Sequence, residues 1–62
     1  MKVYIIIHVY DEETGATEIW SIHASRKSAE AALAAITEPL YYRNYYGAKY
    51  PAFYINEYDV EG

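Results

Sequence analysis

Residues 2–23 read KVYIIIHVYDEETGATEIWSIH, and the fold turns on how the two apolar runs in this stretch meet. Residues 2–10 are dominated by β-branched and aromatic side chains, which suit the pleated, half-buried surface of a strand. Residues 11–16, DEETGA, form a turn, with acids that solvate well and Gly15 to supply a positive φ. Residues 17–23, TEIWSIH, are a second strand. A connection this short makes the pair an antiparallel hairpin.

Register decides which side is buried. With Asp11 opposite Ala16, Ile7 faces Trp20, Ile5 faces Ile22 and Val3 faces Ala24. One face then carries Val3, Ile5, Ile7, Val9, Trp20 and Ile22, almost wholly apolar. The other carries Lys2, Tyr4, Ile6, His8, Tyr10, Thr17, Ile19, Ser21 and His23. A slip of one residue would bury Ser21 and His23 beside the valines and isoleucines, and buried polar groups without partners cost free energy. The first face is therefore expected to meet the core.

Residues 25–38, SRKSAEAALAAITE, carry a helix. The Ser25 hydroxyl can accept from the free amides of the first turn. Ala29, Ala32, Leu33 and Ile36 follow the i, i+3, i+4, i+7 rule, giving a narrow apolar stripe. Pro39 closes the segment, since proline disfavours helical geometry in the residue before it. Residues 52–59, AFYINEYD, alternate as a third strand with Phe53 and Ile55 inward and Tyr54, Asn56 and Tyr58 outward. A helix returning from strand two sets strand three antiparallel on the free edge of strand one. The expected fold is α+β: a two-layer sandwich of one helix on one face of a three-stranded antiparallel sheet, order 2-1-3. A single ββαβ domain spans residues 1–62, with Val3, Ile5, Ile7, Trp20, Ile22, Leu33, Ile36 and Phe53 as its expected core.

A chain of 62 residues buries only about 60% of the surface it exposes when unfolded, so small domains commonly need a disulfide, a metal or a partner. With no cysteine, disulfides and thiolate metal sites are excluded. Two histidines give too few ligands for a structural zinc. A net charge of −4 opposes unspecific attraction to nucleic acid or to anionic membranes. The first apolar run stops at His8, short of a secretory segment, and no run reaches the length of a membrane span. A cytoplasmic location is expected, with no membrane partner.

The segments MKVYIIIHVYDEETG, SRKSAEAAL and FYINEYDVEG together resemble a group of small, uncharacterised phage and prophage proteins. Such proteins open on a strand of the form M-K-V-Y. They cap a helix with a serine before A-E-x-x-L and close on an aromatic–acidic strand. The likeness covers most of the chain except residues 37–50. It implies a phage origin and a host-directed accessory role, and carries over no catalytic residues.

Residues 41–50, YYRNYYGAKY, hold five of the nine tyrosines beside Arg43 and Lys49 and no acid. Residues 40–51 either fold over the open sheet face and complete the monomer, or form a contact surface themselves. In the chosen register the open face carries Tyr4, Ile6, Tyr10, Ile19, Tyr54 and Tyr58. Tyrosine suits protein contacts because it offers large area with few rotors and a hydroxyl that tolerates water. The expected function is non-enzymatic protein binding through Tyr4, Tyr10, Ile19, Tyr42, Arg43, Tyr45, Tyr46, Tyr54 and Tyr58. The partner is a host protein, and a homodimer is a further expectation. The alternative is a single-stranded nucleic-acid binder that stacks bases on residues 41–50. A minor one is an acidic DNA mimic built from Asp11, Glu12, Glu13, Glu18, Glu57, Asp59 and Glu61. His8 and His23 stand about 13 Å apart along the strands, too far to share a metal. Ser21 and His23 share a face but have no acid beside them to orient the imidazole. No catalytic set and no cofactor are expected.

Overall fold

The computed structural model describes residues 1–11, 13–43 and 46–61. Its elements run β1 (Lys2–Asp11), β2 (Ala16–His23), α1 (Arg26–Ala34), β3 (Tyr41–Arg43), β4 (Lys49–Pro51) and β5 (Phe53–Asp59). β2, β1 and β5 form a three-stranded antiparallel sheet in that order, with α1 on one side, so the expected α+β topology holds. One addition is β3 with β4, a two-stranded antiparallel ladder within residues 40–51, where no strand is expected.

The turn and cap signals act as expected, whereas the helix ends short of the stop expected at Pro39. In the first turn the Asp11 carboxylate accepts the amides of Glu13 at 3.0 Å and Thr14 at 3.4 Å, and Gly15 takes φ 73°. Those two amides hold the Asp11 carboxyl below its ordinary value. The Ser25 hydroxyl caps α1 by accepting from the Ser28 amide at 3.1 Å. The helix stops at Ala34, before Pro39, and the Ile36 amide turns back to the Leu33 carbonyl at 3.2 Å. β-Branched Ile36 and Thr37 already weaken helical preference there.

The buried side of the sheet is the opposite of the expected one. Ile6 is fully buried with Ala52 and Phe53, under Ala32, Leu33 and Ile36 and beside Leu40, Tyr42 and Ile55. Val3, Ile5, Ile7 and Ile22 alternate with this set and face away from α1. Of the expected core, Trp20, Leu33, Ile36 and Phe53 do lie on the helix side.

A β-bulge explains the difference. Tyr4 pairs with His23, Ile5 with Ile22 and Ile6 with Ser21, as expected, but Ile7 then pairs with Ile19 and Trp20 is left as an extra residue. A bulge lets two neighbouring residues share a side, so Trp20 joins Ser21 toward the helix without drawing Ile5 and Ile7 after it. A second irregularity between Val9 and Asp11 restores the pairing of Asp11 with Ala16. The polar groups that argue against burying this face find partners. Ser21 Oγ lies 2.8 Å from His23 Nε2, and His23 Nδ1 lies 3.1 Å from Ser28 Oγ. His8 Nδ1 meets Glu18 Oε1 at 2.9 Å. Among the described residues no buried side-chain nitrogen or oxygen lacks a partner. His8 also stacks on Phe53 at 4.4 Å between centroids, with Trp20 edge-on to both at 5.3 and 5.0 Å. The alanines of α1 leave height for these rings.

The β3–β4 ladder is fastened at its base. The Ala52 amide donates to the Leu40 carbonyl and the Val9 amide to the Ala52 carbonyl, each at 2.7 Å. The Tyr42 hydroxyl donates to the Val9 carbonyl at 2.6 Å. Tyr42→Phe keeps the ring and deletes that bond. The expected loss is about 1 kcal/mol, or about 4–8 °C in thermal midpoint by circular dichroism. An unchanged midpoint would mean that water replaces the phenol at no cost.

Candidate functional site

The side of the sheet away from α1 carries Val3, Ile5, Ile7 and Val9 on β1, Thr17, Ile19 and Ile22 on β2, and Tyr54, Asn56 and Tyr58 on β5. None of these is charged. Ile7 is covered by its neighbours, Ile19 and Tyr54 among them, whereas Ile19 is 61% exposed, Ile22 60% and Tyr58 47%. Contiguous apolar surface of this kind marks a contact site more often than scattered single residues do. Ile19, Tyr54 and Tyr58 thus lie on the open face, as the sequence predicts.

Tyr4 and Ile6 do not. Ile6 is in the core, and Tyr4 sits on the helix side, half-buried, with the Arg26 guanidinium 5.3 Å from its ring centroid. A hydrogen bond from Tyr4 and the charge of Lys2 hold the Glu57 carboxyl below its ordinary value. Tyr10 is exposed at the second irregularity of β1. Val3, Ile5, Ile7, Val9 and Ile22 are the open-face residues that sequence reasoning misses, because it assigns them to the core.

The tyrosine ladder forms a second surface. Tyr42 pairs with Tyr50, and Arg43 with Lys49. Tyr42 is half-buried at the base, while Tyr41 is 54% exposed and Tyr46 88%. Tyr50 and Arg43 are exposed as well, and Tyr45 lies outside the described residues. The Lys49 ammonium stands 4.3 Å from the Tyr41 centroid, within cation–π range. Tyr42, Tyr50 and Pro51 border a groove whose other wall is Val9, Gly15, Thr17 and Tyr54. The ladder therefore walls one end of the open face and leaves Ile19, Ile22 and Tyr58 uncovered.

The two imidazoles divide what a catalytic triad would need together. His8 has an acid, Glu18, but its ring is wedged against Phe53 and Trp20. His23 has two serine hydroxyls, while the carboxylate of Glu18 is bonded to the other histidine. Four residues of β1 separate their positions, about 13 Å by strand rise. Among the described residues no three histidines or acids gather as a metal site, and no helix is long and apolar enough to cross a membrane.

Against known families, the chain matches over residues 1–62 the one described as Domain of unknown function (DUF7336). No curated protein and no solved structure matches it.

Proposed function

We propose that this chain, which belongs to the DUF7336 family, is a non-enzymatic protein-binding module whose tyrosine ladder is the contact for a host protein. The observation that carries this reading is the ladder itself: exposed Tyr41, Tyr46 and Tyr50 beside Arg43 and Lys49, on a hairpin fastened at its base by Tyr42, Leu40 and Ala52. Tyrosine and arginine are enriched at protein contacts, and tyrosine loses little conformational entropy when it binds. A phage-encoded accessory protein acting in the host cytoplasm belongs to the same proposal, supported by the likeness of residues 1–15, 25–33 and 53–62 to phage proteins.

The test uses tagged chain as bait in a bacterial host lysate, beside a Tyr41→Ser, Tyr46→Ser double variant. One defined protein is expected on the wild type, with retention reduced ten-fold or more, on the order of a hot-spot loss, on the double variant. Retention indifferent to both tyrosines would overturn the proposal. A second reading has its own observation: Arg43 and Lys49 stand directly opposite each other next to the Tyr41 ring, a like-charge pair that a phosphate would relieve. Binding of a single-stranded oligonucleotide whose affinity falls linearly in log–log with salt would favour that reading instead.

A further inference from the structure

We infer that the open face of the three-stranded sheet is the seat of a second copy of this chain, packed face to face about a twofold axis. The contact is independent of what the tyrosine ladder binds.

Surface area is the first ground. The chain exposes 4712 Å², whereas a compact monomer of 7.2 kDa exposes about 4,100 Å². Removing that excess from each of two copies covers about 1,200 Å², the lower bound of specific interfaces. The molecule is also thin, with extents of 43 × 23 × 14 Å. Its radius of gyration is 12.9 Å, against about 10.6 Å for a compact chain of this length. A second sheet about 10 Å away supplies the missing layer.

Charge is the second. Each copy carries −4, so two copies repel except where no charge has to approach or lose water. The open face is such a place. The acids of the strands point elsewhere: Glu18 to His8 and Glu57 to Lys2, both on the helix side. A mainly apolar surface without charge is the composition of homodimer contacts.

The face is also complementary to itself. β2 and β5 are opposite edges of the sheet, and a twofold along β1 exchanges them. Ile19 of one copy then lies over Tyr54 of the other, and Ile22 over Asn56, with Tyr58 one pair further along. A foreign protein has no such counterpart built in.

Sedimentation and thermal unfolding of the untagged chain between about 1 and 100 micromolar test this, because a dimer gains stability with concentration. The expected result is a dimer mass and a midpoint that rises with concentration. Ile19→Lys and Ile22→Lys are expected to weaken the dissociation constant on the order of a hundred-fold and give folded monomers. Should either variant fail to fold, the concentration dependence of the wild-type midpoint decides alone. A wild type that stays monomeric, with a constant midpoint, overturns the inference. So does a dimer indifferent to both lysines, or one abolished by Tyr41→Ser with Tyr46→Ser. A monomer that captures a foreign protein only while Ile22 is intact would place that protein on the face instead. Loss of host-protein retention in the tyrosine variant, with the dimer intact, bears on the ladder alone.

Discussion

Phe53→Ala is expected to leave the chain largely unfolded at room temperature. Phe53 is buried against Ile6 and Ala52, stacks on His8 and receives the edge of Trp20. Truncation removes the ring on which both others rest, a loss of about 3–5 kcal/mol. A single core in a chain this short supplies about that much in total. Far-ultraviolet circular dichroism with urea titration would read it, as a transition moved to near zero denaturant. A loss below about 1 kcal/mol would mean that the His8–Phe53–Trp20 cluster is not the core.

Ile6→Ala comes next, at about 2–5 kcal/mol, because its side chain is wholly removed from water. The informative comparison is Ile5→Ala, one residue away on the half-exposed face. Both belong in the Ile22→Lys background, where self-association does not blur the reading. Ile6 is expected to cost the more there. If Ile5 costs more, the face assignment is reversed and the unbulged hairpin register stands.

The hairpin, the Ser25 cap, the alanine stripe, strand three and the order 2-1-3 are all legible along the chain, since each rests on local chemistry: turn residues, a hydroxyl at a helix start, periods of two and of three to four. The side of β1 that meets the helix is not. Alternation shows that Ile5 and Ile6 face opposite ways, but their side chains are identical, so only their companions can distinguish them. Ser21, His8 and His23 look too polar to bury. Their satisfaction by Ser28, Glu18 and one another depends on α1 and β2 coming together, which no window along the chain displays. Phe53 and Ile55 read correctly as inward, and pairing them with His8 and Ile6 exposes the conflict. Trp20 offers a second clue, as a large aromatic between Ile19 and Ser21 that breaks the polar–apolar alternation of β2. The ladder has a signal as well: Tyr-Tyr-Arg and Lys-Tyr-Pro bracket Gly47, whose φ of 81° suits a reversal. That pattern also sorts the tyrosines, of which Tyr42 is a structural fastener while Tyr41 and Tyr46 face solvent.

The two irregularities of the hairpin bear on how far association can run. A regular outer strand presents an even row of amides and carbonyls, and any similar strand can extend it without limit. β2 breaks that row at Trp20, and the register of β1 against it breaks again before Asp11. The opposite border, β5, ends in Glu57 and Asp59, so a stacked neighbour would set acid beside acid. Growth along the hydrogen-bonding direction is thereby discouraged at both borders, and the inferred self-contact runs perpendicular to it. An assembly that sticks through a single self-matching face closes at two members, whereas one that sticks along its rims makes fibres. The bulge that hides the buried face from the sequence also interrupts the outer strand along which a small, tyrosine-rich, half-bare sheet could be extended.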